Sequence, residues 1–157
     1  MSTVAAINLR NGDVRDLDLV VAIMDEAFDP RFGEAWTRNQ VLGILAMPRV
    51  QLVVAELDGA AAGFALVRTV ADEGELLLLA VTRMAQRRGV GSALLRAVIV
   101  DCTDRAVASL HLEVRAGNEA IRLYNKAGFT KVGERRDYYS GPGGQTYSAL
   151  TLQRKLP

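Results

Sequence analysis

The stretch that decides the fold is Leu77-Leu-Leu-Ala-Val81, with Gln86-Arg-Arg-Gly-Val-Gly91-Ser92 just after it. The apolar run Leu76–Val81 is short and has turn signals close on each side, which favours a strand over a buried helix segment. Because the run is apolar on both faces, it is predicted to be a central strand covered by helices on both sides. Apolar residues then recur at helical spacing from Val90 onward, so a helix is predicted to begin at Gly89.

The loop between this strand and this helix has the composition of an anion site. Gly89 and Gly91 allow a ligand to approach the backbone closely, and the free amides of a first helical turn favour phosphate. Arg87 and Arg88 add positive charge. The loop is neither a Walker loop nor a dinucleotide fingerprint, because it lacks the Lys-Ser/Thr pair of the first and the third glycine of the second. A glycine-containing helix start with solvated arginines is the alternative interpretation.

Short signals on either side of this segment mark the ends of further elements. Asp13-Val-Arg-Asp16 precedes an apolar run with helical spacing, and Thr37–Gln40 has the spacing of a capping box for a second helix. Asp58-Gly59 is a strong hairpin signal between two strands. Gly128 is favourable for the end of a short helix that begins at Asn118.

Alternating or continuous apolar runs predict the strands and give the element order. That order is β-α-α-β-β-β-α-β-α-β-β, which indicates an α/β (α+β) fold with a mixed central sheet and helices on both faces. No low-complexity linker or internal repeat interrupts it, so residues 1–157 are predicted to form one domain. The predicted strands are Ala5–Leu9, Gln51–Leu57, Ala60–Thr69, Glu75–Val81, Ala108–Val114, Phe129–Tyr139 and Tyr147–Lys155.

Composition excludes several classes of protein. The chain has 157 residues, 50% of them hydrophobic and 24% charged, which is typical of a globular protein and not of a disordered one. A chain of this length buries roughly two-thirds of its unfolded surface, so it needs no disulfide or metal to fold. Its 19 basic and 18 acidic residues leave a net charge of +1. Direct binding to nucleic acid or to an anionic membrane is therefore not expected.

The few cysteine and histidine residues limit the chemistry further. One cysteine, Cys102, and one histidine, His111, exclude most zinc sites and most Cys/His catalysis, so no metal is expected. The longest apolar stretches are much shorter than the roughly 20 residues that cross a bilayer. The first residues, Met1–Arg10, lack the pattern of a signal peptide. A cytoplasmic location is the expectation.

Three further motifs follow the glycine loop along the chain. They are Leu112-Glu-Val-Arg-Ala-Gly-Asn118, Leu123-Tyr-Asn-Lys-Ala-Gly-Phe129 and Arg135-Arg-Asp-Tyr-Tyr139. Together with Gln-x-x-Gly-x-Gly after an apolar strand, they resemble the GNAT superfamily of N-acetyltransferases. Within it, they are most similar to the bacterial ribosomal-protein-alanine N-acetyltransferases (RimI type). The resemblance extends from about Glu75 to Tyr139 and implies a GNAT fold that uses acetyl-CoA as co-substrate.

The resemblance also implies where acetyl-CoA binds. The strand residues Leu79, Ala80 and Val81 match the family's strand whose backbone pairs with the pantetheine arm. Asn118 matches an asparagine that contacts the cofactor, but its distance to Tyr124 is one position shorter than in the usual pattern, Asn-x-x-Ala-Ile-x-Leu-Tyr. Either the helix starts one residue late or Gly117 takes that position. The pyrophosphate is expected at Arg87, Arg88, Gly89, Val90, Gly91 and Ser92.

Two residues match the family's catalytic groups. Glu113 corresponds to the general base, which removes a proton from an ammonium that has no lone pair for attack. Tyr124 corresponds to the general acid, which protonates the departing thiolate. A backbone amide near Leu79 and Ala80 is placed to stabilise the developing oxyanion.

Each of these residues also has a purely structural interpretation. Glu113 could form a salt bridge with Arg115, two residues along on the same strand face. Tyr124 could be an aromatic residue of the core. His111 shares the face of Glu113, about 6–7 Å away by strand rise, and could tune that carboxylate, relay a proton or be a satisfied, partly buried histidine. Aromatic residues that by resemblance flank the acceptor channel, and that packing explains nearly as well, are Phe32, Trp36, Tyr138 and Tyr139.

The resemblance therefore predicts a specific activity. It is acetyl transfer from acetyl-CoA to a primary amine, with the N-terminal α-amine of a protein, such as a ribosomal protein beginning with alanine, as the first-choice acceptor. A small amine acceptor and a non-catalytic acyl-CoA-binding regulatory module are the alternatives. Acceptor specificity is expected in the segments Asp29–Trp36 and Arg136–Tyr147, which the resemblance covers least.

Overall fold

The computed structural model describes residues 6–157 and has the predicted order of helices and strands. The predicted first strand, Ala5–Leu9, begins at a residue outside the described range, and the described strand runs from Ile7 to Gly12. The strands are β1 (Ile7–Gly12), β2 (Val50–Leu57), β3 (Ala60–Val70), β4 (Glu73–Val81), β5 (Ser109–Arg115), β6 (Thr130–Ser140) and β7 (Thr146–Lys155). The helices are α1 (Leu17–Ala27), α2 (Arg38–Leu45), α3 (Val90–Asp104) and α4 (Ala120–Lys126).

The strands form one mixed sheet with β4 at its centre. The strand order is β1-β2-β3-β4-β5-β7-β6, and β4 with β5 is the parallel pair between antiparallel neighbours. The parallel connection from β4 to β5 runs through α3, as a parallel crossover requires. The prediction that Glu75–Val81 lies in a central strand is thus confirmed, and its helical alternative is wrong.

The predicted cap and turn signals have the expected geometry. Asp13 and Asp16 form a capping box around a short 3-10 turn that leads into α1, and Thr37 and Gln40 form one at the start of α2. Asp58 (φ 51°) and Gly59 (φ 84°) are both left-handed, which is the backbone of the tight hairpin turn that joins two twisted strands. These local interactions fix the entries of two helices and the register of the β2–β3 hairpin.

Two apolar cores lie on opposite faces of the sheet, which confirms the predicted helices on both faces. Helices α1 and α2 cover one face, where Val20, Met24 and Phe64 are fully buried. Helices α3 and α4 cover the other, where Leu94, Leu110 and Leu152 are central. Within residues 6–157, no helix is both long and apolar enough to cross a membrane.

Candidate active site

Strands β4 and β5 separate at the centre of the sheet. Their parallel pairing extends from Glu73 opposite Ser109 to Leu76 opposite Leu112, and among the described residues it goes no further. The register between β3 and β4 shifts directly after Leu76, which leaves Leu77 as an extra residue in β4. A bulge of this kind bends a strand and is frequent beside active sites. The resulting gap between the carboxyl ends of β4 and β5 is called the opening below.

The backbone of β4 presents alternate residues to the opening. The amide of Thr82 donates to the carbonyl of Ala62 in β3 at 2.9 Å, so even-numbered residues at this end of β4 face β3. Leu79 and Val81 therefore direct their amides and carbonyls toward the opening. The carbonyl of Val81 already accepts a hydrogen bond from Nε2 of Gln86 at 3.2 Å. The amides of Leu79 and Val81 and the carbonyl of Leu79 are the groups available to a ligand strand here.

The glycine loop beside the opening has the backbone of an anion site. Arg87 (φ 61°) and Gly89 (φ 87°) are left-handed and alternate with ordinary residues, a pattern that turns successive amides to one side. The first bond of α3 runs from the amide of Ala93 to the carbonyl of Gly89, so the three preceding amides point out of the helix end. A methyl group on Gly91 would lie 3.3 Å from Leu123, which shows how closely α3 approaches α4. Arg88 Nη2 lies 3.8 Å from the carboxylate of Asp58.

Glu113 lies on the opposite face of the sheet from α3 and α4. Its neighbours in β5, Leu112 and Val114, are buried in the core of those helices, so alternation places the Glu113 side chain on the other face. The carboxylate is 21% exposed and accepts a contact of 2.9 Å from Nε of Arg135 in β6. The predicted alternative, a salt bridge from Glu113 to Arg115, is wrong, because a different carboxylate binds Arg115.

That carboxylate belongs to Glu34, in the segment between α1 and α2. Its Oε1 is 3.0 Å from Nε of Arg115, and its Oε2 accepts from the amide nitrogen of Asn118 at 3.1 Å. Both ionic side chains are nearly buried, with exposed fractions of 10% for Glu34 and 12% for Arg115. The guanidinium of Arg115 also stacks on the ring of Phe32 at 3.7 Å. Through these contacts, Glu34 connects the segment between α1 and α2 to the end of β5 and to the turn that precedes α4.

Asn118 explains why α4 starts late. Its side-chain oxygen accepts from the amide of Ala120 at 2.9 Å, which closes a turn in front of the helix. The helix predicted from Asn118 therefore begins at Ala120. The Asn118 amide is engaged with Ala120 and with Glu34, and Gly117 beside it is left-handed at φ 86°. The contact of Asn118 or Gly117 with a cofactor stays a prediction.

Two tyrosines converge with these carboxylates. Tyr124 is 6% exposed, in the core of the α3 and α4 face, and its ring packs edge-on against Phe129 with centroids 5.9 Å apart. Burial raises the pKa of Tyr124, and Tyr139 and Glu34 raise it further. Burial also raises the pKa of Tyr139 to about 12, with Glu34 and Glu113 adding to the effect. Glu34 therefore lies near enough to both tyrosines, and Glu113 near enough to Tyr139, to affect their pKa values.

The remaining candidates have other surroundings. His111 Nε2 is 4.0 Å from Oε2 of Glu75, and the same carboxylate accepts from Arg68 at 3.0 Å. His111 is thus partly buried beside a carboxylate partner of its own. Trp36 packs against the α1 core, and its amide donates to the sulfur of Met24. Cys102 is buried in α3, and burial raises the pKa of its thiol. The described residues contain no cluster of side chains that could hold a metal ion.

The sequence reasoning assigned no role to two charged residues near Glu113. Glu34 lies in a loop with no periodic pattern, and Arg135 reaches Glu113 across β7, which lies between β5 and β6. The one usable signal was the expectation that the segments Asp29–Trp36 and Arg136–Tyr147 flank the acceptor channel. Glu34 of the first segment pairs with Arg115 in β5, and the role of both segments in acceptor binding stays a prediction.

Comparison with known proteins identifies the class to which this fold and site belong. The family model described as "Acetyltransferase (GNAT) domain" matches residues 22–139, and the chain belongs to this family. It is 44% identical over 89 residues to the [ribosomal protein bS18]-alanine N-acetyltransferase of Escherichia coli K12, covering 56% of this chain and 60% of that protein. It is 33% identical over 118 residues to the protein of the same name from Haemophilus ducreyi, covering 74% and 81% of the two chains.

The likeness extends to a solved structure. The crystal structure of the ribosomal-protein-S18-alanine N-acetyltransferase from Escherichia coli superposes with a TM-score of 0.87 and 30% identity, covering 96% of this chain and 94% of that one. In the sequence comparison, the chain spans only about 60% of the length of the first curated relatives it matches. The expected GNAT fold is confirmed.

Proposed function

We propose that this chain transfers an acetyl group from acetyl-CoA to the N-terminal α-amine of a protein, of the ribosomal-protein-alanine kind. The observation that carries the proposal is the opening between β4 and β5, which has Tyr124 on one face of the sheet and Glu113 on the other. A reaction between a bound thioester and an incoming amine needs an acid on the thiol side and a base on the amine side. The relatives named as bS18-alanine N-acetyltransferases support the choice of acceptor.

The residues present fit acetyl-CoA, which supplies the acetyl thioester when bound. The left-handed backbone at Arg87 and Gly89 and the first amides of α3 form a cradle for a pyrophosphate, to which Arg87 and Arg88 add charge. Val90, Gly91 and Ser92 provide those amides. In β4, the amides of Leu79 and Val81 and the carbonyl of Leu79 face the opening and can pair with an amide-containing arm, while Ala80 between them pairs with β3.

Glu113 acts as the general base in this proposal. An amine at neutral pH is an ammonium and must lose a proton before it can attack. Arg135 now balances the charge of Glu113, but its side chain is 61% exposed and long, so an incoming ammonium can replace it without uncovering a buried charge. The carboxylate then accepts the proton directly or through a water molecule.

Tyr124 acts as the general acid. A tyrosine phenol is protonated at neutral pH, since its ordinary pKa is about 10, so Tyr124 holds a proton for a departing thiolate. The amide of Leu79, which faces the opening, is the group placed to donate to the carbonyl oxygen as negative charge develops there. This division of roles requires neither a nucleophilic cysteine nor a covalent acyl-enzyme, which agrees with the burial of Cys102.

An acceptor panel tests the proposed function. Thiol release from acetyl-CoA is followed with a peptide beginning with alanine, the same peptide with a blocked N-terminus and an internal lysine, and small amines such as a polyamine. The proposal predicts fast release with the free N-terminal peptide and little with the others. Thiol release only with small amines would contradict the proposal and would indicate a small-molecule acetyltransferase. Binding of acetyl-CoA without release would indicate the regulatory module.

A further inference from the structure

We propose that Asn118 is a positioning residue for the acetyl-transfer reaction, and that Glu34 holds its side-chain amide in one orientation. Together these two side chains fix the turn at residues 115–119 and the start of α4, the helix that carries Tyr124. The inference rests on the proposed function, because it concerns the placement of the proposed general acid. It assigns the side chain of Asn118 to the turn and not to the cofactor.

Asn118 holds the turn through both its side chain and its backbone. Its Oδ1 accepts from the amide of Ala120 at 2.9 Å, as asparagine side chains commonly do two residues along a turn. Its own amide donates to the carbonyl of Arg115 at 3.0 Å, and its carbonyl accepts from the amide of Ile121 at 3.1 Å. Asn118 therefore joins the end of β5 to the first residues of α4.

Glu34 determines which way the Asn118 amide points. An ionised carboxylate only accepts hydrogen bonds, whereas a side-chain amide has one accepting end and one donating end. Oε2 of Glu34 accepts from Nδ2 of Asn118 at 3.1 Å, which leaves Oδ1 to face the amide of Ala120. The reversed amide would set oxygen against carboxylate and donor against donor, so it would lose both bonds. Glu34 thus selects the orientation that holds the turn.

Arg115 keeps the Glu34 carboxylate in place. Its Nε is 3.0 Å from Oε1 of Glu34, and its Nη1 donates to the carbonyl of Ala116 at 3.3 Å. Glu34 and Arg115 are nearly buried, so a movement that separates them would leave two charges without partners in a poorly hydrated place. The carboxylate is therefore held firmly, and both of its partners bond to the backbone of the same turn.

Helix α4 depends on this support at its start. It has seven residues, and isolated helices shorter than about 12 residues are marginal in water. Its N-cap residue, Glu119, makes no side-chain capping bond. The first turn is held by Asn118, and at the other end the amide of Phe129 donates to the carbonyl of Tyr124 at 3.0 Å. The turn at 115–119 therefore fixes where the helix begins.

The position of Tyr124 follows from the start of the helix. Tyr124 lies about one helical turn after Ala120, in a helix too short to absorb a displacement along its length. A general acid must lie within hydrogen-bond reach of the group that it protonates. A misplacement of about 1 Å can lower a rate by roughly 100-fold. A loosened turn should therefore lower kcat and leave the glycine loop, and with it the KM for acetyl-CoA, unchanged.

Four variants and one double variant test this role. Asn118→Ala removes the side-chain bonds, and Glu34→Gln keeps the size of the side chain but removes its charge and its purely accepting character. The double variant combines the two. Asn125→Ala is the matched control, because it makes the same substitution at an exposed position of α4. Asp16→Asn controls for lost stability, because Asp16 also pairs with an arginine, at 2.7 Å, but lies at the start of α1.

The expected result is a loss of kcat that does not add up. Asn118→Ala and Glu34→Gln should each lower kcat about 10-fold or more, with the KM for acetyl-CoA unchanged. The double variant should be no slower than the slower single variant, because both substitutions break the same support. Asn125→Ala should keep the wild-type kcat. Asp16→Asn should keep it as well, although its melting temperature falls.

Three kinetic outcomes would contradict the inference. A raised KM for acetyl-CoA with an unchanged kcat in Asn118→Ala would mean that Asn118 binds the cofactor. A lowered melting temperature with an unchanged kcat in Glu34→Gln would mean that Glu34 serves stability alone. Losses of kcat that add in the double variant would mean that Glu34 acts independently of Asn118. If one single variant does not fold, the other carries the comparison of kcat with KM.

Hydrogen exchange in the protein without acetyl-CoA separates this inference from the proposed function. The amide of Ala120 should exchange about 3- to 10-fold faster in Asn118→Ala and in Glu34→Gln, because a hydrogen bond is lost, and at the wild-type rate in Asn125→Ala. An unchanged exchange rate in Glu34→Gln would overturn the orienting role of Glu34 even if the enzyme acetylates peptides. Failure of the wild type to acetylate any peptide, with the expected exchange rates, would instead remove the proposed function and the catalytic purpose of the turn.

Discussion

At the scale of single residues, the partner of Glu113 is the clearest case of what sequence spacing leaves open. Alternation along β5 predicts correctly that Glu113 and Arg115 share a face, but it does not predict which charges pair. Arg115 forms its ion pair with Glu34, and Glu113 forms its ion pair with Arg135. Arg135 lies in β6, where it pairs with Ala149 of β7. Only the order of the strands brings Arg135 to Glu113, and strand order is a long-range property.

Replacement of Glu113 separates the catalytic role from the ion pair. Glu113→Gln is nearly isosteric, and kcat/KM is expected to fall about 10²- to 10⁴-fold because the proton acceptor is lost. Arg135→Gln removes the same ion pair and keeps the carboxylate, so most activity should remain. Both variants should lose at most about 1 kcal/mol of stability, since the pair is partly exposed. Steady-state rates and thermal melts of both variants distinguish the two roles. Equal activity in the two variants would contradict the role of Glu113 as general base.

Replacement of Tyr124 tests the general acid. Tyr124→Phe keeps the ring and its edge-on packing against Phe129 but removes the phenolic proton. The expected result is a fall in kcat of about 10²- to 10⁴-fold with little change in acetyl-CoA affinity. Single-turnover rates and a binding titration measure the two quantities. Near-normal turnover would mean that Tyr124 serves only as a core aromatic.

The buried tyrosines also predict how stability depends on pH. Folding raises the pKa of Tyr139 from 10.0 to about 12, and it raises that of Tyr124 as well. Above pH 10 the unfolded chain loses these protons while the folded chain keeps them. The stabilising contribution is therefore complete below pH 10 and is lost as the pH rises toward 12.

This effect is measured by recording the melting temperature at a series of pH values from about 9 to about 12, a range that includes the ordinary tyrosine pKa. The wild type should lose stability steadily over that range, and Tyr139→Phe should have a shallower decline. Identical slopes in the two proteins would show that Tyr139 does not titrate differently on folding.

At the scale of helices and strands, local signals predicted the entries of elements but not their pairing. The capping boxes at Asp13 and Thr37 and the hairpin at Asp58 are confirmed because they depend on a few neighbouring residues. The bulge at Leu77 and the insertion of β7 between β5 and β6 left no local pattern. The bulge lies where β4 and β5 separate, and the position of β7 determines which residue of β6 reaches Glu113, so the sequence reasoning located the glycine loop better than the rest of the site.

The glycine loop makes a prediction at this scale. Arg87 is left-handed at φ 61°, a conformation that asparagine tolerates well, so Arg87→Asn removes the charge without added backbone strain. We expect an unchanged melting temperature without ligand and a smaller rise on addition of acetyl-CoA, since stabilisation follows binding. Substitution of Gly89 is less informative, because its φ of 87° would strain any side chain.

Arg96→Gln serves as the control for this experiment. Arg96 is also on α3, but it lies in the surface groove beside Leu9 and Val100. Differential scanning fluorimetry at several acetyl-CoA concentrations compares the three proteins. A ligand-induced shift in Arg87→Asn as large as in the wild type and in Arg96→Gln would contradict phosphate binding by this loop.

At the scale of the whole molecule, the two proposed catalytic groups lie on opposite faces of the sheet. Helices α3 and α4 and Tyr124 lie on one face, and Glu113 lies on the other, two residues along β5 from Arg115, which pairs with Glu34. The fold class followed from apolar periodicity, while the glycine motif and the family resemblance predicted the loop at which the cofactor is proposed to bind. The surroundings of Glu113 were not predicted, because the contacts of Glu34 with Arg115 and Asn118 join segments far apart in the chain.

The most direct test of the central claim is the position of the transferred acetyl group. A peptide with an N-terminal alanine and an internal lysine is incubated with the protein and acetyl-CoA, and the product is sequenced by tandem mass spectrometry. The account predicts one acetyl group on the α-amine of alanine, formed by the wild type and nearly absent with Glu113→Gln. Acetylation of the lysine, or of neither amine while acetyl-CoA binds, would contradict it.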